Sequence, residues 1–331
     1  MKTRYLMLAI AVCVTILAGI LLTLQLQGLV VEKPESLKIG VIVYPGVGPF
    51  FIAQEKGFFE KEGVNAEVVT LDPVQIISAL KSNNVQIATS TADFTTIYAD
   101  TGVDVKEIFM MSVGYGSDGL LVKNDVSSIK DLKGKNIYLS LGTPSHFLLR
   151  VLAKESGLLK DDITLIHMEP DQVGVAFAAE QVDYGMSWEP WLSKASERKD
   201  GKILFSSKDR PGFVIDTIVT RDDVLQVRKD EIKAVMKAWF DAIEFWRSNP
   251  EEANAIMARN LGLPVEDFEA QLNTVKFLDY KENLAKFDKS TDLNIFEVTE
   301  KAIEIYIEDG IIKSNTNSDD IIDPVLLTEL Y

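Results

Sequence analysis

The stretch Leu141-Gly142-Thr143-Pro144-Ser145-His146-Phe147-Leu148-Leu149 marks a change from strand to helix. The segment before it, Asn136 to Ser140, has the pattern of a short strand. Thr143 suits the N-cap position of a helix. Pro144 suits its first residue, because proline lacks the N–H that would be unpaired there. The stretch therefore predicts a strand–turn–helix unit of an α/β protein.

The same alternation of strand and helix recurs on both sides of this unit. Strands that alternate with helices of about 10–15 residues predict βαβ units and mainly parallel sheets. We therefore expect an α/β fold. The predicted strands are Leu37–Val43, Ala66–Leu71, Val85–Ala88, Val105–Ser112, Gly119–Val122, Asn136–Ser140, Ile163–Ile166 and Val182–Met186.

After Asp222 the pattern predicts helices only. Apolar residues from Ile232 to Trp246 recur at every third or fourth position, which is typical of an amphipathic helix. Further helices are expected from Pro250 and near Phe296 to Ile307. We interpret the apolar stripe, which includes Trp239, as a face that packs into the core.

The predicted helix start at Thr143 is also a candidate ligand site. Open α/β sheets bind ligands in the crevice at the carboxyl ends of their strands, and the free N–H groups of a helix start attract anions. The side chains of Ser145 and His146 would add hydrogen-bond donors there. An ordinary capped helix with a surface histidine explains the same residues, so both interpretations stay open.

Three further clusters follow predicted strands and would reach the same crevice. Trp188 and Glu189, with Trp191 close behind, would form an aromatic wall around one carboxylate. The segments Thr89 to Asp93 and Tyr115 to Asp118 would each supply a hydroxyl or a carboxylate. Each cluster is equally consistent with a packed or capping turn.

The composition excludes several classes of function. The formal net charge is −16, and a surface this acidic repels nucleic acid. The only histidines are His146 and His167 and the only cysteine is Cys13, so no Cys/His catalytic pair or Cys/His zinc site is expected. Nucleotide-binding and hydrolase motifs are absent from the sequence. We therefore expect no enzyme activity, no metal and no cofactor.

The N-terminus predicts an extracytoplasmic protein. Lys2 and Arg4 precede an uncharged and largely apolar stretch that reaches Val31. A helix needs about 20 apolar residues to span a bilayer, whereas the apolar region of a signal peptide has about 7–15. The length favours a membrane anchor over residues 1–31, a linker over 32–36 and a body outside the membrane. The alternatives are a cleaved signal peptide and a lipoprotein with the lipid on Cys13.

Four segments follow one another along the chain: Pro49–Phe59, which contains Ala-x-Glu-Lys-Gly-Phe-Phe, Asp131–Lys135, Gly142–Leu149 and Trp188–Leu192. In this order they resemble the nitrate/sulfonate/taurine-type ABC substrate-binding proteins, which share a fold with the thiamine-pyrimidine-synthesis proteins. The resemblance runs from Leu37 to the C-terminus. It implies a type II periplasmic-binding fold of two lobes joined by two hinge strands, near Leu120–Val122 and Ile215–Thr220. Lobe one would be 37–122 and 215–331, and lobe two would be 123–214.

The resemblance also implies partners and a ligand. The chain would be a monomeric binding protein that closes on a small molecule and docks on an ABC permease with a cytoplasmic ATPase. In sulfonate-binding relatives the helix start that matches Thr143 to His146 holds the anionic head group, so a sulfonate or taurine-like ligand is expected. The residues expected to contact it are Tyr44, Gly48, Phe50, Thr91, Asp93, Tyr115, Asp118, Thr143, Ser145, His146, Trp188, Glu189 and Asp216.

Four of these residues, Asp93, Asp118, Glu189 and Asp216, depart from a plain sulfonate site. An unpaired anion in a closed cleft is costly, so several carboxylates favour a cation or the amine of a zwitterion. A binder of a cationic, guanidinium-like or amine-like compound is therefore the first alternative. A pyrimidine-precursor binder or enzyme is the second, and Cys13 alone cannot supply the cysteine-rich motif of that enzyme.

Overall fold

Two β-sheets organise the chain, which a computed structural model describes over residues 35–195, 198–313 and 316–331. The strands are β1 (Leu37–Val41), β2 (Ala66–Thr70), β3 (Ile87–Thr91), β4 (Val105–Gly114), β5 (Asp118–Lys123), β6 (Asn136–Leu139), β7 (Thr164–His167), β8 (Tyr184–Trp188), β9 (Gly201–Ser206), β10 (Ile215–Arg221) and β11 (Val275–Phe277). The first sheet has the order β11-β4-β10-β3-β1-β2 and the second has the order β7-β6-β8-β5-β9. The predicted α/β class is confirmed.

Both sheets are mixed, whereas the alternating pattern predicts mainly parallel ones. β1 pairs in parallel with β2 and β3, and β6 pairs in parallel with β7 and β8. The remaining five pairings are antiparallel. Four of these five involve β5 or β10, the strands that receive the chain directly from the other sheet. These two strands run antiparallel to their neighbours, because the chain reaches them without the crossover helix that a parallel connection needs.

The chain passes between the two sheets at residues 115–117, from β4 to β5, and at residues 207–214, from β9 to β10. Leu120 to Val122, where the first hinge strand was expected, lies inside β5 and pairs with β8 and β9 of the second sheet. The second expected hinge strand, near Ile215–Thr220, lies inside β10 of the first sheet, and the lobe bounds stay a prediction. We propose that the lobe boundaries fall at these two connections, which places β5 in lobe two.

Helices flank both sheets. Two of the longer helices begin at Pro144 and Pro250, as the sequence predicts. Proline is tolerated at the first position of a helix because the N–H that it lacks would have no hydrogen-bond partner within the helix. The helices are α1 (Gly48–Glu55), α2 (Phe58–Lys61), α3 (Pro73–Lys81), α4 (Ala92–Asp100), α5 (Pro144–Glu155), α6 (Pro170–Ala178), α7 (Trp191–Ala195), α8 (Asp222–Val227), α9 (Lys229–Ser248), α10 (Pro250–Leu261), α11 (Val265–Leu272), α12 (Tyr280–Lys286), α13 (Ile295–Glu308), α14 (Ser318–Ile321) and α15 (Val325–Thr328).

The apolar stripe of α9 packs into the core. Trp239 is fully buried, and its ring centroid lies 4.5 Å from that of Phe50 and 5.8 Å from that of Phe109. Phe50 belongs to α1 and Phe109 to β4, so one indole joins two helices to the first sheet. The interpretation of the stripe as a core-packing face is confirmed.

The sequence pattern misses two strands, β9 and β11. β11 has three residues and is held at the sheet edge by its pairing with β4, which leaves too little sequence for a periodic pattern.

Across the described residues, no helix combines the length and the apolar character needed to cross a membrane. The predicted anchor over 1–31 lies outside the described residues.

Candidate ligand-binding cleft

A cavity of about 100 Å³ lies between the two sheets, and both contribute residues to it. Residues around the first sheet form most of its wall, while Asp118, Thr143, Pro144 and Trp188 come from the second sheet and its helix α5. The cavity therefore occupies the place where the strand-to-helix pattern predicts a ligand site. The lining residues are Ile42, Tyr44, Val47, Ile76, Thr89, Ser90, Thr91, Phe94, Tyr98, Met111, Asp118, Thr143, Pro144, Trp188, Val214 and Asp216.

Asp216 lies near the start of β10, opposite Thr91 of β3. Its Oδ2 accepts hydrogen bonds from Ser112 Oγ at 2.5 Å and from the Tyr44 hydroxyl at 3.3 Å. Burial raises the pKa of the Asp216 carboxyl from 3.8 to about 7, and these hydrogen bonds offset only part of the cost of desolvation. The group is therefore uncharged below neutral pH unless a cation compensates it.

Asp118 opens β5 and pairs across the sheet with Trp188 of β8, so the register places the carboxylate beside the indole. Its Oδ2 accepts a hydrogen bond from Ser117 Oγ at 2.8 Å. Burial raises the pKa of Asp118 to about 7, and the negative charges of Asp216 and Glu189 add to this rise. Two carboxylates thus meet at one cavity, one from each sheet.

Asp93 lies in the first turn of α4, behind the lining residues Thr91 and Phe94. Its side chain is buried, with Oδ2 2.6 Å from the hydroxyl of Tyr306, and burial raises its pKa to about 6. A fourth buried acid, Glu107, accepts a hydrogen bond from Thr217 Oγ1 at 3.1 Å, and burial raises its pKa to about 7.

None of the described residues that line the cavity is a lysine, an arginine or a histidine. The wall combines the two carboxylates, Asp118 and Asp216, with hydroxyl groups and the aromatic rings of Tyr44, Phe94 and Trp188. A buried carboxylate that lacks a positive partner is costly to ionise. The arrangement is suited to a ligand that brings positive charge and has an apolar or flat body.

The start of helix α5 lies at the cavity as predicted, but its side chains act differently from the prediction. Thr143 occupies the N-cap position and donates its hydroxyl to the carbonyl of Ser140 at 2.7 Å, so it does not cap the helix. Ser145 is fully buried behind the cavity wall, and its Oγ has no hydrogen-bond partner among the described residues.

His146, which is predicted to donate to a ligand, is not among the residues that line the cavity. Its Nδ1 accepts a hydrogen bond from the backbone N–H of Gly142 at 3.1 Å, and its Nε2 lies 2.6 Å from Asp309 Oδ2. The ring is fully buried, so it is not the surface histidine of the alternative interpretation either. A partner beyond the end of α13 could not be foreseen from the residues around His146.

Four more residues expected at the site lie outside the cavity lining. Gly48 packs against Met257, Phe50 lies in the core beside Trp239, and Tyr115 is 40% exposed on the first connection between the sheets. Glu189 accepts hydrogen bonds from the N–H and the hydroxyl of Ser193, as a capping residue does. Burial raises the pKa of Glu189 as well.

The structure thus brings Tyr44, Thr91, Asp118, Thr143, Trp188 and Asp216 together at the cavity, with Asp93 directly behind. Phe94 and Met111 also line the cavity, and Ser112 and Tyr306 hold two of the carboxylates, although the sequence pattern predicts none of these four residues. Phe94 follows Asp93 directly, so the cluster after β3 already hinted at it. Tyr306 lies on a distant helix and gives no local signal.

Comparison with known structures supports the class that the two sheets and their cavity define, the periplasmic-binding fold. The periplasmic aliphatic sulphonate binding protein SsuA from Escherichia coli superposes with a TM-score of 0.73 at 20% identity, over 88% of this chain and 93% of that one. Residues 44–253 match the family model described as NMT1/THI5 like, so the chain belongs to this family.

Relatives of known sequence are named as binding proteins. A Brucella abortus protein named only as a binding protein is 27% identical over 78% of this chain and 81% of its own length. The taurine-binding periplasmic protein of Escherichia coli is 26% identical over 71% of this chain and 76% of its own length. The fold is shared with an enzyme too, because the desulfurization enzyme DSZB superposes with a TM-score of 0.62 at 15% identity.

Proposed function

We propose that this protein is the extracytoplasmic capture component of an ABC importer and that it binds a small cationic nitrogen compound in the cleft between its lobes. The proposal of a cationic ligand rests on one observation. Asp118 and Asp216 line the cavity, and no basic side chain accompanies them there among the described residues. A guanidinium-like or amine-like ligand would supply the missing charge.

The rings at the cavity suit the same ligand. Tyr44 and Trp188 both line it, and Asp118 is the cross-strand neighbour of Trp188. A cation over the face of an aromatic ring is attracted by about 0.5–2 kcal/mol, with the larger values in sites shielded from water. The carboxylates would therefore bind the charged nitrogen while the rings pack on the body of the ligand.

A zwitterion such as taurine is the second candidate. Thr143 and Pro144 bring the start of α5 to the cavity wall, and the backbone N–H groups of a helix start attract an anionic head. Relatives named for taurine and sulfonates support this candidate. An alkanesulfonate without an amine would leave Asp118 and Asp216 uncompensated.

The two-lobed fold supports a role in transport. We infer that the lobes close around the solute by hinge motion at residues 115–117 and 207–214. The closed protein then docks, as a monomer, on a permease driven by a cytoplasmic ATPase. The apolar N-terminal stretch would attach the chain to the outer face of the plasma membrane or direct its export. The protein acts as a binder rather than an enzyme in this proposal.

A thermal-shift screen at pH 8 tests the ligand class. A ligand present at about 100 times its Kd stabilises the folded state by ~3 kcal/mol, enough for a clear rise in melting temperature. We expect methylguanidinium or alkylamines to raise the melting temperature of the full chain and ethanesulfonate to leave it unchanged. Asp216→Asn should abolish the rise, while Asp125→Asn, on an exposed loop, should retain it. A rise with ethanesulfonate alone would overturn the cationic proposal.

A further inference from the structure

The hydroxyl of Tyr306, on α13, lies between two acceptor groups. It is 2.6 Å from Asp93 Oδ2 and 3.0 Å from the backbone oxygen of Thr143. Asp93 belongs to α4, beside the first sheet, and Thr143 begins α5, which packs on the second sheet. Tyr306 is fully buried, so water does not compete for either contact. One side chain therefore touches both lobes next to the cavity.

The number of hydrogen atoms that Tyr306 and Asp93 carry decides which of these two contacts can be hydrogen bonds. A tyrosine hydroxyl has one hydrogen to donate, and an ionised carboxylate and a carbonyl can only accept. If Asp93 is ionised, Tyr306 can satisfy one of the two contacts but not both. If Asp93 is protonated, its O–H donates to Tyr306 Oη, and the Tyr306 hydroxyl is then free to donate to Thr143 O. Both hydrogen bonds form together only in the protonated state.

We propose that Tyr306 is a positioning residue that links the two lobes through a proton on Asp93, so that the link is complete when Asp93 is protonated and broken when it is ionised. When the link is broken, the carbonyl oxygen of Thr143 still has a hydrogen-bond partner, because it also accepts from the N–H of Phe147 at 3.0 Å. The link goes beyond the proposed function, because it operates in the protein without ligand.

The surroundings of Asp93 support a titration in the accessible range. Burial raises the pKa of Asp93 to about 6, while Tyr306 opposes part of that rise. The pKa of the Tyr306 hydroxyl is itself raised by burial and by the negative charge of Asp93, so Tyr306 stays neutral at these pH values. The acids that face Asp93 from other strands are Glu107 on β4, Asp118 on β5 and Asp216 on β10.

A second contact joins α13 to α5. Asp309, at the end of α13, accepts from Arg150 Nε at 2.5 Å and lies 2.6 Å from His146 Nε2. The His146 ring also lies 5.5 Å from that of Tyr306, between centroids. Helix α13 is thus fixed to α5 by an ion pair, and the Asp93 contact is the part that responds to the proton.

The distance between the lobes tests the proposal without any ligand. Spin labels on Glu67→Cys and Gln172→Cys, both exposed and one in each lobe, would report it in the full chain with Cys13→Ser. We expect the ratio of open to closed forms to rise about fivefold as pH rises from 5 to 7. A change of this size corresponds to the net free energy that one ordinary hydrogen bond contributes. Tyr306→Phe should keep the more open ratio at both pH values. Asp93→Asn, whose amide donates at every pH, should keep the more closed one.

Matched controls separate the link from other titrations. Tyr280→Phe removes a hydroxyl that is 3.1 Å from Leu327 O, far from the cleft, and should retain the pH dependence. Glu107→Gln should retain it as well. If Asp93→Asn still responds to pH while His146→Asn does not, the His146–Asp309 pair is the responsive contact and the proposal is wrong. A ratio that is independent of pH in the parent protein would also overturn it.

Discussion

The hydroxyl of Tyr44 lies 3.3 Å from Oδ2 of Asp216, and both residues line the cavity. The two are 172 positions apart in sequence, one after β1 and the other in β10. Ser112 donates to the same carboxylate oxygen. These donors hold the Asp216 carboxyl in place, but they carry no positive charge. Only a ligand or a proton can therefore neutralise the carboxylate.

We predict that Asp118→Asn and Asp216→Asn stabilise the ligand-free protein at pH 8. Burial raises the folded-state pKa of both carboxyls to about 7, whereas the ordinary value in the unfolded chain is 3.8. The stability that each carboxyl contributes is therefore present below about pH 4 and is lost as pH rises through about 7. Each substitution should raise the free energy of unfolding at pH 8 by about 2–4 kcal/mol relative to its effect at pH 4.

Urea unfolding at pH 4 and pH 8 measures this difference. Asp125→Asn, an exposed carboxyl outside the cavity, is the control and should change stability by less than about 0.5 kcal/mol at either pH. An identical effect of the cavity substitutions at pH 4 and pH 8 would contradict the raised pKa values.

The affinity for a cationic probe should depend on pH. Below about pH 7 the carboxyls of Asp118 and Asp216 hold protons, and a cation must displace at least one of them. We expect Kd for methylguanidinium to fall by up to about tenfold for each unit of pH between 5.5 and 7 and to level off near pH 8. Calorimetry in two buffers of different ionisation enthalpy would also detect the released proton. A Kd that does not vary with pH would argue against these acids as the contacts.

Trp188→Ala should weaken ligand binding more than it weakens the fold. The indole is only half-buried in the ligand-free protein and lines the cavity, so its removal deletes ligand contact without a large core void. The expected loss is about 1–2 kcal/mol of binding free energy, or roughly 5–30-fold in Kd. Trp191→Ala, which removes a 38% exposed indole just beyond the cavity lining, is the matched control for binding. Equal losses in the two variants would remove Trp188 from the site.

Trp239→Ala should destabilise the protein strongly. The indole is fully buried between α1 and β4, and a cavity of this size in a core costs about 3–5 kcal/mol. Val227→Ala, at an 80% exposed position on the neighbouring helix, should cost less than about 0.5 kcal/mol. Denaturant unfolding of both variants measures the contrast. A small effect of Trp239→Ala would mean that α9 does not anchor the first lobe.

Local patterns were sufficient to predict most of the fold. The first strand was expected from Leu37 and ends at Val41 in the structure, and the helix expected near Phe296 to Ile307 spans Ile295 to Glu308. Periodicity works in these segments because each packs one regular face. It fails for β11, which exists only through its pairing with β4, and for the strand directions, which depend on where the chain crosses between sheets.

The candidate site was predictable mainly at strand ends. Asp118 at the start of β5, Thr143 after β6 and Trp188 at the end of β8 line the cavity because these strand ends meet there. Side-chain direction within such a turn was not predictable, and His146 illustrates this, since its partner Asp309 is 163 positions away. The hydroxyl groups that hold Asp93 and Asp216 come from equally distant segments, Tyr306 and Ser112.

Isothermal titration calorimetry at pH 8 with methylguanidinium, taurine and ethanesulfonate tests the central claim most directly. We predict that methylguanidinium binds the parent protein, that taurine binds more weakly through its ammonium group, and that ethanesulfonate gives no heat of binding. The double substitution of Asp118 and Asp216 by asparagine should abolish all binding. Saturable binding of ethanesulfonate that survives this double substitution would contradict a cleft built for positive charge.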